Sequence, residues 1–159
     1  MNFKDKIEAF FVWLGMVAMG WLSKNPVPLP DAPKFSPEII KWGRAIQLHE
    51  GWTTGSRSFR NHNPGNVRKG SYSDGLGATG VDPQNFLIFP DYETGFAALC
   101  QFLVNACSGK YPKYDPNKGL NAFFGVYSPS WDGNDSTKYA SIVAYTLGIS
   151  PELPIKDLL

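Results

Sequence analysis

The chain has 159 residues, of which 43% are hydrophobic and 14% aromatic, a size and composition that fit one globular domain and exclude a disordered or fibrous protein. Fifteen Lys and Arg residues against fourteen Asp and Glu leave a formal net charge of +1. So small a charge argues against a nucleic-acid partner, because such partners usually require a strongly basic face.

An uninterrupted apolar run, Ala9 to Leu22, dominates the N-terminus. Its fourteen residues fall short of the about 20 of a transmembrane helix and match the apolar region of a secretory signal, about 7 to 15 residues. Large apolar side chains cover the run all round, whereas a globular surface helix keeps a polar face. The sequence therefore predicts that residues 1–22 form a hydrophobic signal or membrane-anchor helix. A buried helix of the globule is the alternative.

Four prolines, at positions 26, 28, 30 and 33, follow this run. They predict an extended, semi-rigid linker over residues 23–35. The run Ser36-Pro37-Glu38 then has the three features of a helix start: a serine cap, a proline in the first turn and an acid near the N-terminus. The sequence thus predicts a folded domain over residues 36–159, which begins with a helix that ends near Glu50.

Residues 51–90 lack helical periodicity and are rich in Gly, Asn, Ser and Asp. They predict loops with a small β-hairpin formed by residues 66–68 and 86–89. Three further helices are predicted, over residues 91–107, 120–126 and 136–147. Together with the hairpin they give an α+β fold that is mainly α.

Two cysteines, Cys100 and Cys107, fall within the second predicted helix. Seven residues along a helix correspond to a rise of about 10 Å. A disulfide needs Cα atoms within about 7 Å of each other. We therefore interpret both cysteines as small core residues.

The end of the first helix carries the main candidate for chemistry, Glu50. At about 100° per residue it shares one face with apolar positions, namely Ile39, Gly43 and Ile46. Partial burial on this face and the negative end of the helix dipole both favour the protonated carboxyl group. A general acid needs that form near neutral pH. The alternative is a helix end whose carboxylate reaches water.

The following loop, residues 55–68, is rich in side chains that form hydrogen bonds. The turn Pro64-Gly65 fixes the directions of Asn63 and Asn66. Amide side chains held in this way suit the acetamido and hydroxyl groups of amino sugars. The alternative is that these asparagines bond only to their own backbone. The two histidines lack the spacing of a zinc site, so neither a metal nor a cofactor is predicted.

The run Ala45–Gly51, followed by the run Ser56–Arg68 with its Arg-Asn-His-Asn-Pro-Gly-Asn-Val-Arg motif, resembles the lysozyme-like domains of phage and prophage peptidoglycan hydrolases. Those domains carry a glutamate at a helix end and then an R-N-N-N-P-G-N-[LIV]-R run, in which His62 here replaces an asparagine. Later segments match in the same order: Phe86–Pro90, Gly95–Leu99, Tyr127–Tyr139 and Leu147–Ile149. The similarity covers about residues 36–153.

The resemblance implies cleavage of the β-1,4 bond between N-acetylmuramic acid and N-acetylglucosamine, with Glu50 as the catalytic acid. By position, Asn63 and Asn66 border the cleft and Tyr139 faces the glutamate. With Ser56 and Arg60, these three are the predicted substrate-binding residues. The resemblance also implies glycan strands as partner and a location facing the periplasm or cell wall, or within a virion. The apolar run in residues 1–22 predicts the membrane contact.

The choice between a lytic transglycosylase and a lysozyme depends on a second carboxylate, which the classical hydrolytic schemes require. The sequence offers six candidates for it and singles out none: Asp74, Asp82, Asp91, Glu93, Asp132 and Asp135. The absence of an obvious second carboxylate slightly favours a transglycosylase with one glutamate. Hydrolysis and a non-catalytic peptidoglycan-binding module remain open. Four cations could contact peptide-stem carboxylates or a phosphate-rich polymer: Arg57, Arg60, Arg68 and Lys69. The alternative is that they only cover and solvate the loop.

Overall fold

A computed structural model describes residues 35–159. The predicted N-terminal helix and almost all of the proline-rich linker lie outside this range. The described part contains helices α1 (Pro37–His49), α2 (Arg57–Arg60), α3 (Tyr92–Cys107), α4 (Leu120–Tyr127) and α5 (Ser136–Leu147), strands β1 (Gly80–Val81) and β2 (Leu87–Ile88), and 3-10 helices at Ser130–Asp132 and Ile155–Leu158. A mainly helical α+β architecture is thus present. None of the helices in this range has the length and apolar character to cross a membrane.

The long helices begin at side-chain caps that the sequence offers. The Ser36 hydroxyl accepts a hydrogen bond from the Ile39 N–H at 3.3 Å, and the Asp91 carboxylate accepts one from the Thr94 N–H at 2.7 Å. Asp135 caps α5 in the same way. Each such cap is worth about 1 kcal/mol. The predicted starts of α1 and α3 are therefore confirmed, together with their physical cause.

The small sheet differs from the predicted hairpin. Strand β2 pairs antiparallel with β1, Gly80 opposite Ile88, whereas Arg68 forms only an isolated bridge with Phe86. The assignment of residues 66–68 as the first strand is therefore wrong. The reason is local: Asn66 adopts a left-handed φ of 45°, which ends any strand at that residue.

The Asp82 side chain explains why the true strand pair forms. Its carboxylate accepts hydrogen bonds at 2.9 Å from the N–H groups of Gln84 and Phe86. These two bonds close the tight turn that joins β1 to β2, in the manner of an Asx turn. The sheet is thus set by one side chain within the turn and not by an alternating apolar pattern.

The core forms where α3 meets its neighbours. Its buried face carries Phe96, Leu99 and Leu103, and α3 packs against α1 and against the C-terminal 3-10 helix. Helix α5 packs on both α1 and α4. Cys100 and Cys107 are buried and unpaired, which confirms their interpretation as core residues.

Two glycines bring the Asn-Pro-Gly turn close to this core. A Cβ atom on Gly95 of α3 would lie 1.7 Å from the carbonyl oxygen of His62. A Cβ atom on Gly65 would lie 2.7 Å from a methyl group of Leu99 and 2.8 Å from the Tyr127 hydroxyl. Only glycine allows approaches this close. The turn that carries Asn66 is therefore held directly against α3 and α4.

Candidate active site

The Glu50 carboxylate lies where three segments of the chain meet. Glu50 caps the C-terminus of α1, and its backbone N–H donates to the Ile46 carbonyl at 2.9 Å. One carboxylate oxygen, Oε1, accepts a hydrogen bond from the Tyr139 hydroxyl at 3.0 Å. The other, Oε2, accepts one from Nδ2 of Asn66 at 2.9 Å. The structure thus brings Glu50, Asn66 and Tyr139 together from distant positions.

The pKa of Glu50 is raised above its ordinary value. Burial is the largest cause, because removal from water disfavours the charged form. The hydrogen bonds from Asn66 and Tyr139 and the positive charge of Arg57 oppose this effect without overcoming it. The carboxyl group therefore keeps its proton to a higher pH than an exposed glutamate does.

Tyr139 is held by stacked rings. Its side chain is 1% exposed and stacks on Phe124 at 4.1 Å and on His49 at 3.6 Å between ring centroids. Burial, and then the neighbouring Glu50, raise the pKa of its hydroxyl well above the ordinary value. The hydroxyl thus stays protonated and donates to Glu50. Tyr139 therefore holds the carboxyl group in position from inside the fold.

Asn63 occupies a different place from the one predicted. Its side chain is completely buried, and Nδ2 donates to the carbonyls of Val67 and Leu87, both at 2.9 Å. Its Oδ1 accepts from the Val67 N–H at 2.9 Å. With both amide protons used inside the fold, Asn63 fixes the turn and the hairpin. Asn66, by contrast, is half-buried and lines the cleft described below.

Ser56 and Arg60 are not brought to the carboxylate. Ser56 caps α2, with its hydroxyl accepting from the Phe59 N–H at 3.2 Å. Arg60 is exposed and donates to the carbonyl of Gly55. Neither side chain lines the cleft that contains Glu50. Their contacts in this structure are local to α2.

Glu50 opens into a cleft with a volume of about 530 Å³, within the range of about 300–1,000 Å³ that is usual for ligand sites. Its lining comes from two parts of the chain beyond Glu50, residues 57–86 and residues 102–134. Several lining residues are not predicted as site residues from the sequence: Tyr72, Gln84, Phe86, Tyr127, Ser128 and Trp131. An aromatic residue within a Gly/Asp-rich turn, as in Ser130–Gly133, is the signal that could have pointed to Trp131.

Two arginines border the cleft around one ring. The guanidinium carbons of Arg57 and Arg68 lie 4.2 Å and 4.5 Å from the ring centroid of Phe86. Cations attract the face of an aromatic ring at such distances. Arg57 also lies 3.9 Å from Asp82, which neutralises part of its charge. This side of the cleft is therefore cationic and suited to anionic groups.

Among the side chains that the structure describes, Glu50 is the one carboxylate lining the cleft. Burial alone would raise the pKa of Asp82, but hydrogen bonds from Phe86, Asn61 and Gln84 and the charge of Arg57 lower it overall. Asp82 therefore stays ionised and engaged in its turn. Asp91 and Asp135 cap helices. No group of three or more metal-ligating acids, histidines or cysteines occurs within residues 35–159.

Comparison of the chain with models of protein families, with curated proteins and with solved structures gives no match. The function therefore has to be inferred from the contacts around Glu50 and from the lining of the cleft.

Proposed function

We propose that the chain is a peptidoglycan glycosidase that cleaves the β-1,4 bond between N-acetylmuramic acid and N-acetylglucosamine, with Glu50 as the general acid. The observation that supports it most is the environment of Glu50. A carboxyl group with a raised pKa lies in a cleft of ligand size and is held by Asn66 and Tyr139. Perturbed carboxyl groups in clefts are typical of acid–base catalysis.

The single carboxylate favours the lytic transglycosylase route. Protonated Glu50 donates its proton to the glycosidic oxygen, and the bond from the muramic-acid carbon to that oxygen breaks. The 6-hydroxyl of the same muramic acid then attacks this carbon and closes an anhydro ring. The Glu50 carboxylate takes the hydroxyl proton, which restores the acid form. This series of steps needs one group that serves first as acid and then as base.

Hydrolysis by a lysozyme-type reaction is the second candidate. In that reaction a water molecule attacks the same carbon, and most such enzymes use a second carboxylate as base or nucleophile. Asp82 lies beside Arg57 of the cleft, yet its oxygens bind Asn61, Gln84 and Phe86. These contacts favour the transglycosylase over the hydrolase.

The cationic side of the cleft supports peptidoglycan as the substrate. Arg57 and Arg68 line the same cleft as Glu50. Peptidoglycan carries carboxylates on its peptide stems, and arginine recognises carboxylates through paired hydrogen bonds. We assign these two arginines the contact with stem carboxylates. Residues 1–22, with their apolar run, are the proposed means of export or membrane anchoring toward the cell wall, with residence in a virion as the alternative.

Replacement of Glu50 by glutamine tests the proposal. We expect the clearing of peptidoglycan in a zymogram to fall by about 10²- to 10⁴-fold, the usual contribution of a general acid. The matched control is Glu93→Gln, which removes the same charge from an exposed position on α3. Equal clearing by the wild type and Glu50→Gln would contradict the assignment of Glu50 as the general acid.

Mass spectrometry of the released muropeptides separates the reaction types. Products with a 1,6-anhydro ring identify a transglycosylase, and reducing ends with an added water molecule identify a hydrolase. Binding of peptidoglycan by the wild type without any released product would favour the alternative from another class, a non-catalytic binding module.

A further inference from the structure

Trp131 stands apart from the other aromatic side chains of the described chain. It is 82% exposed, more than any other large hydrophobic residue in this part of the molecule. Trp42, by comparison, is fully buried and packs edge-on against Phe123, and Trp52 packs against Phe59. An indole left in water gains nothing from the hydrophobic effect. A single exposed hydrophobic side chain is common on protein surfaces, so what matters for Trp131 is its position.

The position of Trp131 points to a ligand in the cleft. Trp131 lines the same cleft as Glu50, with the polar residues Ser128 and Asn134 on the same stretch of the lining. An apolar surface flanked by polar groups matches the two aspects of a pyranose ring, an apolar C–H face and an edge of hydroxyl groups. Ligand sites combine aromatic surface with a few placed polar groups in this way.

The backbone around Trp131 holds it in a fixed turn. Pro129 precedes the short 3-10 helix with φ −69°, and Gly133 ends it in the left-handed region with φ 79°. The Gly133 N–H donates to the Ser130 carbonyl at 3.1 Å. Proline has a restricted φ, and glycine accepts a positive φ without strain. The indole is thus presented from a constrained turn, which lowers the entropy lost on binding.

We propose that Trp131 is a stacking platform for a sugar ring of the glycan strand, and that it forms a binding position separate from the residues that hold Glu50. The position takes the apolar face of an N-acetylated pyranose, and the polar residues Ser128 and Asn134 lie on the same stretch of the lining. This inference rests on the proposed function for the identity of the glycan. It extends that function by adding a residue that binds substrate without touching the proton-transfer group.

The test is calorimetric binding of a hexamer of N-acetylglucosamine to the full chain carrying Glu50→Gln, which prevents turnover. We expect Trp131→Ala to weaken binding by roughly 5- to 100-fold, the range seen when one stacked aromatic is removed from a nucleic-acid site. Trp131→Phe should restore most of the affinity, because it keeps a ring. The matched control is Tyr145→Ala on α5, which removes a 51%-exposed aromatic outside the cleft and should change nothing.

Three results would overturn the inference: no binding of the hexamer, equal affinity with and without Trp131, or equal weakening by Tyr145→Ala. If the hexamer does not bind, the zymogram of the wild type still tests the glycosidase separately. If Trp131→Ala weakens binding while the wild type clears no peptidoglycan, the sugar platform stands and the glycosidase proposal fails. The two proposals can therefore fail independently.

Discussion

At the scale of single residues, two opposing groups of contacts govern the proton on Glu50. Burial favours the neutral carboxyl group, whereas donors from Asn66 and Tyr139 favour the carboxylate. The balance leaves the pKa raised, while two hydrogen-bond donors stay in place for the carboxylate. A group that acts first as acid and then as base needs such a balance, because both its protonated and its ionised form must be accessible.

The raised pKa of Glu50 has a consequence for stability. Well below the ordinary carboxyl pKa of 4.5, the folded and unfolded states both carry the proton and Glu50 contributes no pH dependence. As the pH rises, the unfolded state ionises first, so the fold loses stability until the pH exceeds the folded pKa. Glutamine does not ionise. We therefore expect Glu50→Gln to melt at a higher temperature than the wild type at neutral pH.

Thermal unfolding at neutral pH and at a pH well below 4.5 measures this effect. The gain should shrink toward zero in acid, where the wild-type carboxyl is neutral. Glu93→Gln again serves as the control for removal of a glutamate. A gain that is the same at both pH values would mean that Glu50 is not destabilised by its charge.

At the scale of elements, the approach of α3 to the Asn-Pro-Gly turn determines where Asn66 lies. Gly95 lies against the carbonyl of His62 because it has no side chain. His62 itself adopts a positive φ of 48°, and its ring contacts the Phe89 carbonyl at 3.2 Å. The turn, the end of β2 and the start of α3 are therefore fixed to one another.

We expect Gly95→Ala to destabilise the fold by about 1–3 kcal/mol or more, because the added methyl group has to displace backbone atoms. Activity should fall further than stability alone explains, since the turn carries Asn66 toward Glu50. The matched control is Gly125→Ala in α4, where a Cβ meets no atom within 4 Å. That helical glycine is exposed, so alanine should stabilise the fold by about 0.5–1 kcal/mol. Urea unfolding of both variants decides the point, and equal effects would contradict it.

At the scale of the whole molecule, the two thiols report on the integrity of the core. Burial raises the pKa of both Cys100 and Cys107 to about 12. Because the thiolate is the reactive form, we expect no labelling by a thiol reagent under native conditions. Labelling should appear in denaturant at the same concentration as loss of the circular dichroism signal. Rapid labelling of the native protein would mean that α3 opens locally.

Most of the helical architecture could be predicted because its signals are local. Caps such as Ser36 and Asp91 and the apolar spacing along α3 lie within a few residues of the structure that they specify. The sheet could not be predicted in the same way. Residues 78–81, Ala-Thr-Gly-Val, show no alternating pattern, and their pairing depends on the hydrogen bonds of Asp82.

The candidate site likewise has a part that could be predicted from the sequence and a part that could not. The helical face that carries Glu50 could be read from spacing, and the structure places Asn66 and Tyr139 beside it. The direction of Asn63 could not be read, since an amide serves a sugar or a backbone carbonyl equally well. Arg60 ends, and Ser56 caps, a helix of four residues, which is too short for a periodic pattern to show which way its side chains point.

The amide of Asn66 has one further property. Its Nδ2 donates to Glu50, while its Oδ1 is buried and has no hydrogen-bond partner within residues 35–159. A half-turn of the amide about its last side-chain bond exchanges these two atoms. The donor then serves the ionised glutamate and the acceptor serves the protonated one. In the proposed reaction, such a rotation would let Asn66 serve both protonation states of Glu50 while the backbone remains still.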